Sequence, residues 1–275
     1  VGLFPQVGMG STIKNLAVSQ AYLSMNLDIK EDDAGCITGT IDSWNVSDYP
    51  MDTRDASSNA AIRDNPDFQA KQPKFINLLV DHTCYVSADR AGGIVGPTGG
   101  CIYLENCIFT GSLNTNADIY YGGTLVGMDW SYGSTYVDCV SLPQCGSIMV
   151  GGSSVASWRS SPSDLVTTAE NLYYFAVKLQ GGMGDGATKL TKPDQRVGEA
   201  ARTAMPNLDW VDEYDPATDE TTWMVVDGGT PIPAVFTKGR TPEEYSKLSD
   251  KEFKAPFVTV SFMTDTDEVT VDDMQ

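Results

Sequence analysis

Histidine is almost absent from this 275-residue chain, with a single one at His82, and basic residues are few: 18 Lys plus Arg against 37 Asp plus Glu. The formal charge of −19 makes nucleic acids and anionic membranes unfavourable partners. No apolar run approaches the ~18 residues that a bilayer-spanning helix needs, so no membrane insertion is expected. The six cysteines contain no C-x-x-C pair, which excludes a zinc ribbon. Runs of the helix formers Leu, Lys and Ala are sparse, and charged residues make up only 20% against 41% hydrophobic ones, a balance that suits a packed rather than a disordered chain. What is plentiful is Gly (26), Tyr (12), Thr and Val, a β-rich composition.

Two sequence boxes repeat. Asn or Asp followed by a small apolar residue recurs at Asn15, Asn45, Asn77, Asn106, Asp138 and Asn171, in steps of 30, 32, 29, 32 and 33 residues. A Gly-flanked apolar pair precedes most of these: Gly2-Leu3-Phe4, Gly35 to Gly39, Gly93 to Gly96, Gly123 to Gly127 and Ile148 to Gly151. Its second step, 57 residues, is close to two repeats. One shared period predicts an all-β fold, a parallel β-helix (β-solenoid) of about six coils, in which each coil buries its apolar face only when neighbours stack on it. Gly is expected at corners that turn sharply or take positive φ. The six Asn and Asp residues are expected to stack as a hydrogen-bonded ladder, with the apolar residue after each pointing inward.

These boxes also carry a resemblance. Gly92-Gly93-Ile94-Val95-Gly96 followed by Cys101 to Ser112 resembles the GLUG motif, as does Val1 to Phe4 followed by Ser11 to Ser19. That motif recurs in large secreted and surface-anchored bacterial proteins of adhesin-like type. The resemblance covers residues 1–175 and implies architecture and an extracellular, cell-surface setting rather than an activity. Pro5 after Phe4 and Asp138 in place of Asn depart from the pattern. Two polar excursions, 48–74 and the Ser-rich 152–168, interrupt it as loops. The chain begins inside an apolar segment and ends just after a strand-like stretch, so a longer polypeptide is expected.

After Asn171 the period fails. Residues 176–238 are expected to form a small α/β cap over the last coil, shielding its open edge. Thr191 with Asp194 and Pro193 opens a helix, Val197, Ala200, Ala201, Ala204 and Met205 form its buried stripe, and Pro206 ends it. Trp210, Trp223 and the Gly-Pro turn Gly228 to Pro233 follow, an order similar to the segment that ends many such solenoids. Residues 239–275 are read as a linker and a partial β module. Thr241-Pro242-Glu243-Glu244 is a helix start, and Phe257 to Met263 is a strand that turns at Asp265-Thr266-Asp267 and pairs with Val269 to Val271. Phe257 to Val271 resembles the opening of internalin-type B-repeat modules.

The search for chemistry finds little. His82 is expected to be a surface imidazole rather than one half of a nucleophile pair with Cys84, since a catalytic dyad needs the two groups within hydrogen-bond reach. Cys107 and Cys139 share a repeat position and are expected as buried free thiols, with a disulfide framework the alternative for an exported protein. No cofactor is expected. Ca²⁺ at Asp212, Glu213, Asp215 or Asp219 is the one metal alternative to a solvated acidic loop, and none of these matches a calcium-loop pattern. Gly181 to Gly186 lacks the Lys-Ser/Thr ending of a phosphate loop. Paired carboxylates on a β-helix could also make a glycosidase or polysaccharide lyase, but no pair is singled out. The candidate ligand-binding residues are Tyr120, Tyr121, Trp130, Tyr132 and Trp158, aromatics at turns with Asp and Ser nearby, suited to a host or matrix glycan or protein. The expectation is a non-catalytic binding or display module, with a structural stalk as the other non-enzymatic reading.

Overall fold

In the computed structural model of the chain, the described residues are 1–25, 33–42, 64–98, 102–115, 122–129, 134–144, 148–149, 168–175, 187–241, 243–244, 247, 261–263 and 268–270. The chain is mostly β, and its main sheets are parallel. Four strand positions recur. They are filled first by β1 (Phe4–Gly8), β2 (Thr12–Val18), β3 (Tyr22–Ser24) and β4 (Asp33–Gly35). The second pass has β5 (Thr38–Asp42), the short helix α1 (Pro66–Lys71), β6 (Lys74–Val80), β7 (Tyr85–Ala88) and β8 (Arg90–Gly92). The third has β9 (Val95–Thr98), a split strand β10 (Tyr103–Glu105) and β11 (Ile108–Phe109), then β12 (Ser112–Thr115) and β13 (Gly122–Gly123). The fourth has β14 (Val126–Asp129), β15 (Thr135–Val137), β16 (Val140–Ser141) and β17 (Ile148–Met149). β18 (Thr168–Glu170), β19 (Leu172–Phe175) and β20 (Ala187–Leu190) extend the second position.

Equivalent strands of successive passes pair in register. β1 joins β5, β9 and β14; β2 joins β6, then β10 with β11, β15 with β16, β18 with β19, and β20. β3, β7, β12 and β17 form a third sheet, and β4, β8 and β13 a fourth. Like residues therefore meet like. Leu16 faces Leu78, and Phe75 faces Leu104, which faces Tyr136. The apolar residue after each ladder Asn or Asp (Leu16, Leu78, Cys107, Cys139, Leu172) lies in one core. Burial of each leucine contributes roughly 1.5–3 kcal/mol.

Asn15 and Asn77 are neighbouring rungs. β2 pairs directly with β6, and Asn77 Nδ2 donates to Asn15 Oδ1 across 62 residues of sequence. Residue 45 itself lies outside the described residues. The 57-residue step of the Gly box is one repeat plus an insertion between β5 and β6, not two repeats. The end of that insertion is helical rather than a loop: Asn65 Oδ1 caps α1 by accepting from Asp67 N, Pro66 occupies the first turn, and Phe68 is buried.

Asparagine takes the left-handed role expected of glycine. No described Gly of the apolar boxes has positive φ. They sit instead where backbones of neighbouring passes touch. A Cβ on Gly96 would lie 1.9 Å from Gly39 O, and one on Gly35 would lie 2.5 Å from Gly96 N. The left-handed corners belong to Asn15, Asn77, Asn106, Asp138 and Asn171, with φ of 56°, 53°, 54°, 49° and 51°. Asn and Asp are the non-glycine residues that tolerate this region best.

The segment expected to cover the last repeat runs along the outer face of the second sheet across several passes. Trp223, Met205, Leu208, Ile232 and Phe236 pack with Leu79, Ile108, Val140 and Tyr173, the outward residues of successive strands. The helix expected from Thr191 is split. A 3-10 turn (Pro193–Arg196) is capped by Gln195 Oε1, which accepts from Thr191 N and Lys192 N, rather than by Asp194. Val197 is extended, Gly198 takes φ +55°, and only then does α2 (Gly198–Ala204) begin. Ala201 and Met205 are buried as expected, while Val197 is exposed. β21 (Trp223–Met224) and β22 (Ile232–Pro233) form an antiparallel pair across the Gly-Pro turn. Near the C-terminus, β23 (Ser261–Met263) pairs antiparallel with β24 (Glu268–Thr270), the hairpin expected there. Thr241 and Glu244 also close their capping box, Glu244 Oε2 accepting from Thr241 N at 2.9 Å.

Candidate functional site

The left-handed corner lies within β2 and β6 and separates β10 from β11, β15 from β16 and β18 from β19, and its side chain lies along the stack. Asn77 Nδ2 donates to Asn15 Oδ1 at 2.8 Å, Asn106 Nδ2 to Asn77 Oδ1 at 2.6 Å, and Asn171 Nδ2 to Asp138 Oδ1 at 2.8 Å. Every amide donates toward the chain's N-terminal end. The series continues one step beyond Asn15, whose Nδ2 donates to Asp219 Oδ1 at 3.3 Å. Asp219 comes from the C-terminal segment, is itself left-handed, and pairs with Lys14 Nζ at 2.6 Å. The hydrogen bonds from Lys14 and Asn15 hold its carboxyl below the usual carboxylate range. Asn106, fully buried, also donates to Thr222 O of the same segment.

The ladder is interrupted at one joint. Asn106 Oδ1 is buried and has no hydrogen-bond partner. The next rung is Asp138, whose carboxyl is pushed above the usual range by burial and by Glu170, Glu105 and Asp209, against the lowering effect of the Asn171 bond.

The five aromatic residues singled out from sequence (Tyr120, Tyr121, Trp130, Tyr132 and Trp158) lie outside the described residues. The third sheet presents a different aromatic pair. Tyr22 and Tyr85 occupy equivalent positions of β3 and β7, and their rings stack with centroids 5.0 Å apart and planes 16° from parallel. Tyr22 is 73% exposed, so the outer ring face is open to solvent. Beside it, Asn114 Nδ2 of β12 donates to Tyr85 Oη at 3.4 Å and to Ser87 Oγ at 3.3 Å. Leu23, Val86 and Leu113 alternate inward and hold these strands to the core. The signal was in the sequence: Ala21-Tyr22-Leu23-Ser24, Cys84-Tyr85-Val86-Ser87 and Gly111-Ser112-Leu113-Asn114 align once the repeat is set by strand pairing rather than by Asn spacing.

Of the other candidates, His82 is exposed in a turn while Cys84 is buried, so the two do not meet. Cys36, Cys84, Cys107 and Cys139 are free and buried, and Cys101 and Cys145 lie outside the described residues. Burial, then the neighbouring Cys107, pushes the Cys139 thiol well up, which makes it a poor nucleophile. The carboxylates considered for Ca²⁺ are not gathered. Asp212 pairs with Arg202 at 2.6 Å, Asp215 Oδ1 accepts from Ala217 N in its own turn, Asp219 holds Lys14 and Asn15, and Glu213 is exposed. Gly181 to Gly186 lies outside the described residues. Asp129, buried, accepts from Ser134 Oγ at 2.8 Å and from Tyr136 Oη at 3.0 Å, and pins β14 to β15.

No protein-family model, curated protein or solved structure matches this chain.

Proposed function

We propose that the chain is a parallel β-helix segment of an extracellular bacterial surface protein, adhesin-like and non-catalytic, that displays a binding face to a host or matrix glycan or protein. Supporting the solenoid reading are the in-register pairing of four strand positions and the directional amide ladder at one corner. The GLUG-like boxes and their resemblance to surface proteins support the setting.

The observation that carries the binding reading is the exposed Tyr22–Tyr85 stack with the Asn114 amide beside it. An open aromatic face next to fixed hydrogen-bonding groups suits the C–H face and hydroxyls of a sugar ring, or a peptide side chain. The strong negative charge selects neutral or basic ligands over anionic ones.

The test is an array of glycans and extracellular host proteins probed with the whole chain and with Tyr22→Ala. The reading expects a ligand that wild type retains and Tyr22→Ala loses by about tenfold or more, with unchanged thermal unfolding. A ligand held equally by both moves the site off this face. Absence of any ligand overturns the binding reading in favour of a structural stalk.

A further inference from the structure

The ladder has a polarity, and polarity makes one substitution chemically special. Each amide gives its Nδ2 to the preceding rung and offers its Oδ1 to the following one. A carboxylate can take the second part, since it accepts, but it has nothing to give. Asp138 accepts from Asn171 and should donate to Asn106, whose Oδ1 lies on the side away from Asn77 and Thr222. Backbone register puts Asp138 next in line: Asn106 N donates to Val137 O at 3.0 Å, and Ile108 pairs with Val140. The buried Asn106 Oδ1 is left without a donor. Two acceptors thus confront each other across one joint, a costly arrangement where Asn106 is closed to water and Asp138 is half-buried.

We propose that Asp138 is a proton-binding joint: its carboxyl takes up a proton and donates it to Asn106 Oδ1, completing the ladder between the third and fourth passes in acid and breaking it as the pH rises. The surroundings favour the neutral acid. The third pass presents Glu105, with Tyr103 donating to it at 2.9 Å; β18 and β19 present Glu170 and Tyr173; the C-terminal segment presents Asp209; and Cys107 and Cys139 lie on the core side. None of these is basic. Burial is the largest influence, and all three neighbouring carboxylates act in the same direction.

The sign follows from linkage. A carboxyl whose folded value lies above its unfolded one binds more protons in the folded chain. The joint's contribution is complete below the unfolded value of about 3.8 and is lost as the pH rises through the raised folded value. Asp138→Asn supplies the missing Nδ2 permanently, tolerates the left-handed corner and removes the titration.

The experiment is thermal unfolding of the whole chain and of Asp138→Asn between about pH 4 and about pH 7.5. The variant is expected to unfold about 2–4 °C higher at the upper pH, the shift of one recovered hydrogen bond in a chain of this size, and to converge on wild type at the lower pH. Curves that stay parallel, or a variant less stable at the upper pH, overturn the joint. A second readout needs no variant fold: in wild type labelled with carboxyl-¹³C aspartate, one resonance is expected to titrate above the ordinary aspartate range and to be missing from Asp138→Asn. Titration of that resonance in or below the ordinary range overturns the proposal. So does a saturable stabilisation of wild type by millimolar calcium at the upper pH that Asp138→Asn lacks, which would place a metal ion rather than a proton between the two acceptors.

Discussion

Asn106 Nδ2 donates to Asn77 Oδ1 at 2.6 Å across 29 residues of sequence, and both residues are left-handed, with φ of 54° and 53°. The two facts depend on each other. The left-handed corner turns the side chain along the stack, and the amide is the group that can both give and accept there. One residue type satisfies a backbone demand and a side-chain demand at once.

Asn77 separates these demands. Asn77→Gly keeps the left-handed corner but loses two ladder bonds and should cost about 1–3 kcal/mol. Asn77→Ala adds the penalty for a Cβ in that conformation, about 1–2 kcal/mol more. Urea unfolding at unchanged m-value checks the order; equal costs for Gly and Ala would show that the backbone conformation is not strained.

Asp219 titrates in the opposite sense to Asp138. Its depressed carboxyl contributes stability that is present above the unfolded value of about 3.8 and lost as the pH falls through the folded value. Lys14 and Asp219 are 50% and 55% exposed, so the ion pair contributes less than about 1 kcal/mol and is screened by salt. Asp219→Asn keeps the corner and the bond from Asn15. Its deficit against wild type should appear at neutral pH and low salt, and vanish in strong acid or molar salt. A deficit independent of both would assign it to something other than Lys14.

Gly92 has no room for a methyl group. A Cβ there would lie 1.7 Å from Val95 O and 2.5 Å from Gly127 N, both backbone atoms of adjacent strands. Gly92→Ala is expected to abolish soluble expression or to lower stability by more than about 3 kcal/mol. Gly8→Ala, with nothing within 4 Å, should stay within about 0.5 kcal/mol of wild type. Comparable losses at the two positions would refute the close approach.

Trp223 fastens the C-terminal segment to the second sheet. It is fully buried against the outward residues of successive passes, with Trp210 tilted 55° to it at 6.5 Å. Trp223→Ala should cost about 3–5 kcal/mol. Amide exchange is expected to rise across 205–236 before it rises in the inner core of the parallel sheets. Uniform acceleration everywhere would mean that segment and sheets unfold as one unit.

The amino-acid sequence alone was enough for the β-rich class, the period near thirty residues, the inward residue after each Asn, the capping box at Thr241 and the C-terminal hairpin. These are local patterns, and period-two alternation or a capping box keeps its meaning wherever the chain goes. Four features needed the tertiary structure. Spacing counts residues along the chain, and an insertion of near-repeat length between Asn15 and Asn77 is invisible until strand pairing skips it. The Gly boxes suit corners because Gly permits positive φ, yet the constraint here is contact between backbones of different passes, which no single stretch reveals. The outward row Leu79, Ile108, Val140 and Tyr173 matched no expected partner until the segment around Trp223 was found lying on it. The confrontation of Asn106 with Asp138 was visible in sequence only as a small departure from a motif. Its consequence depends on donor direction, burial and neighbouring charge, and those are properties of the stack.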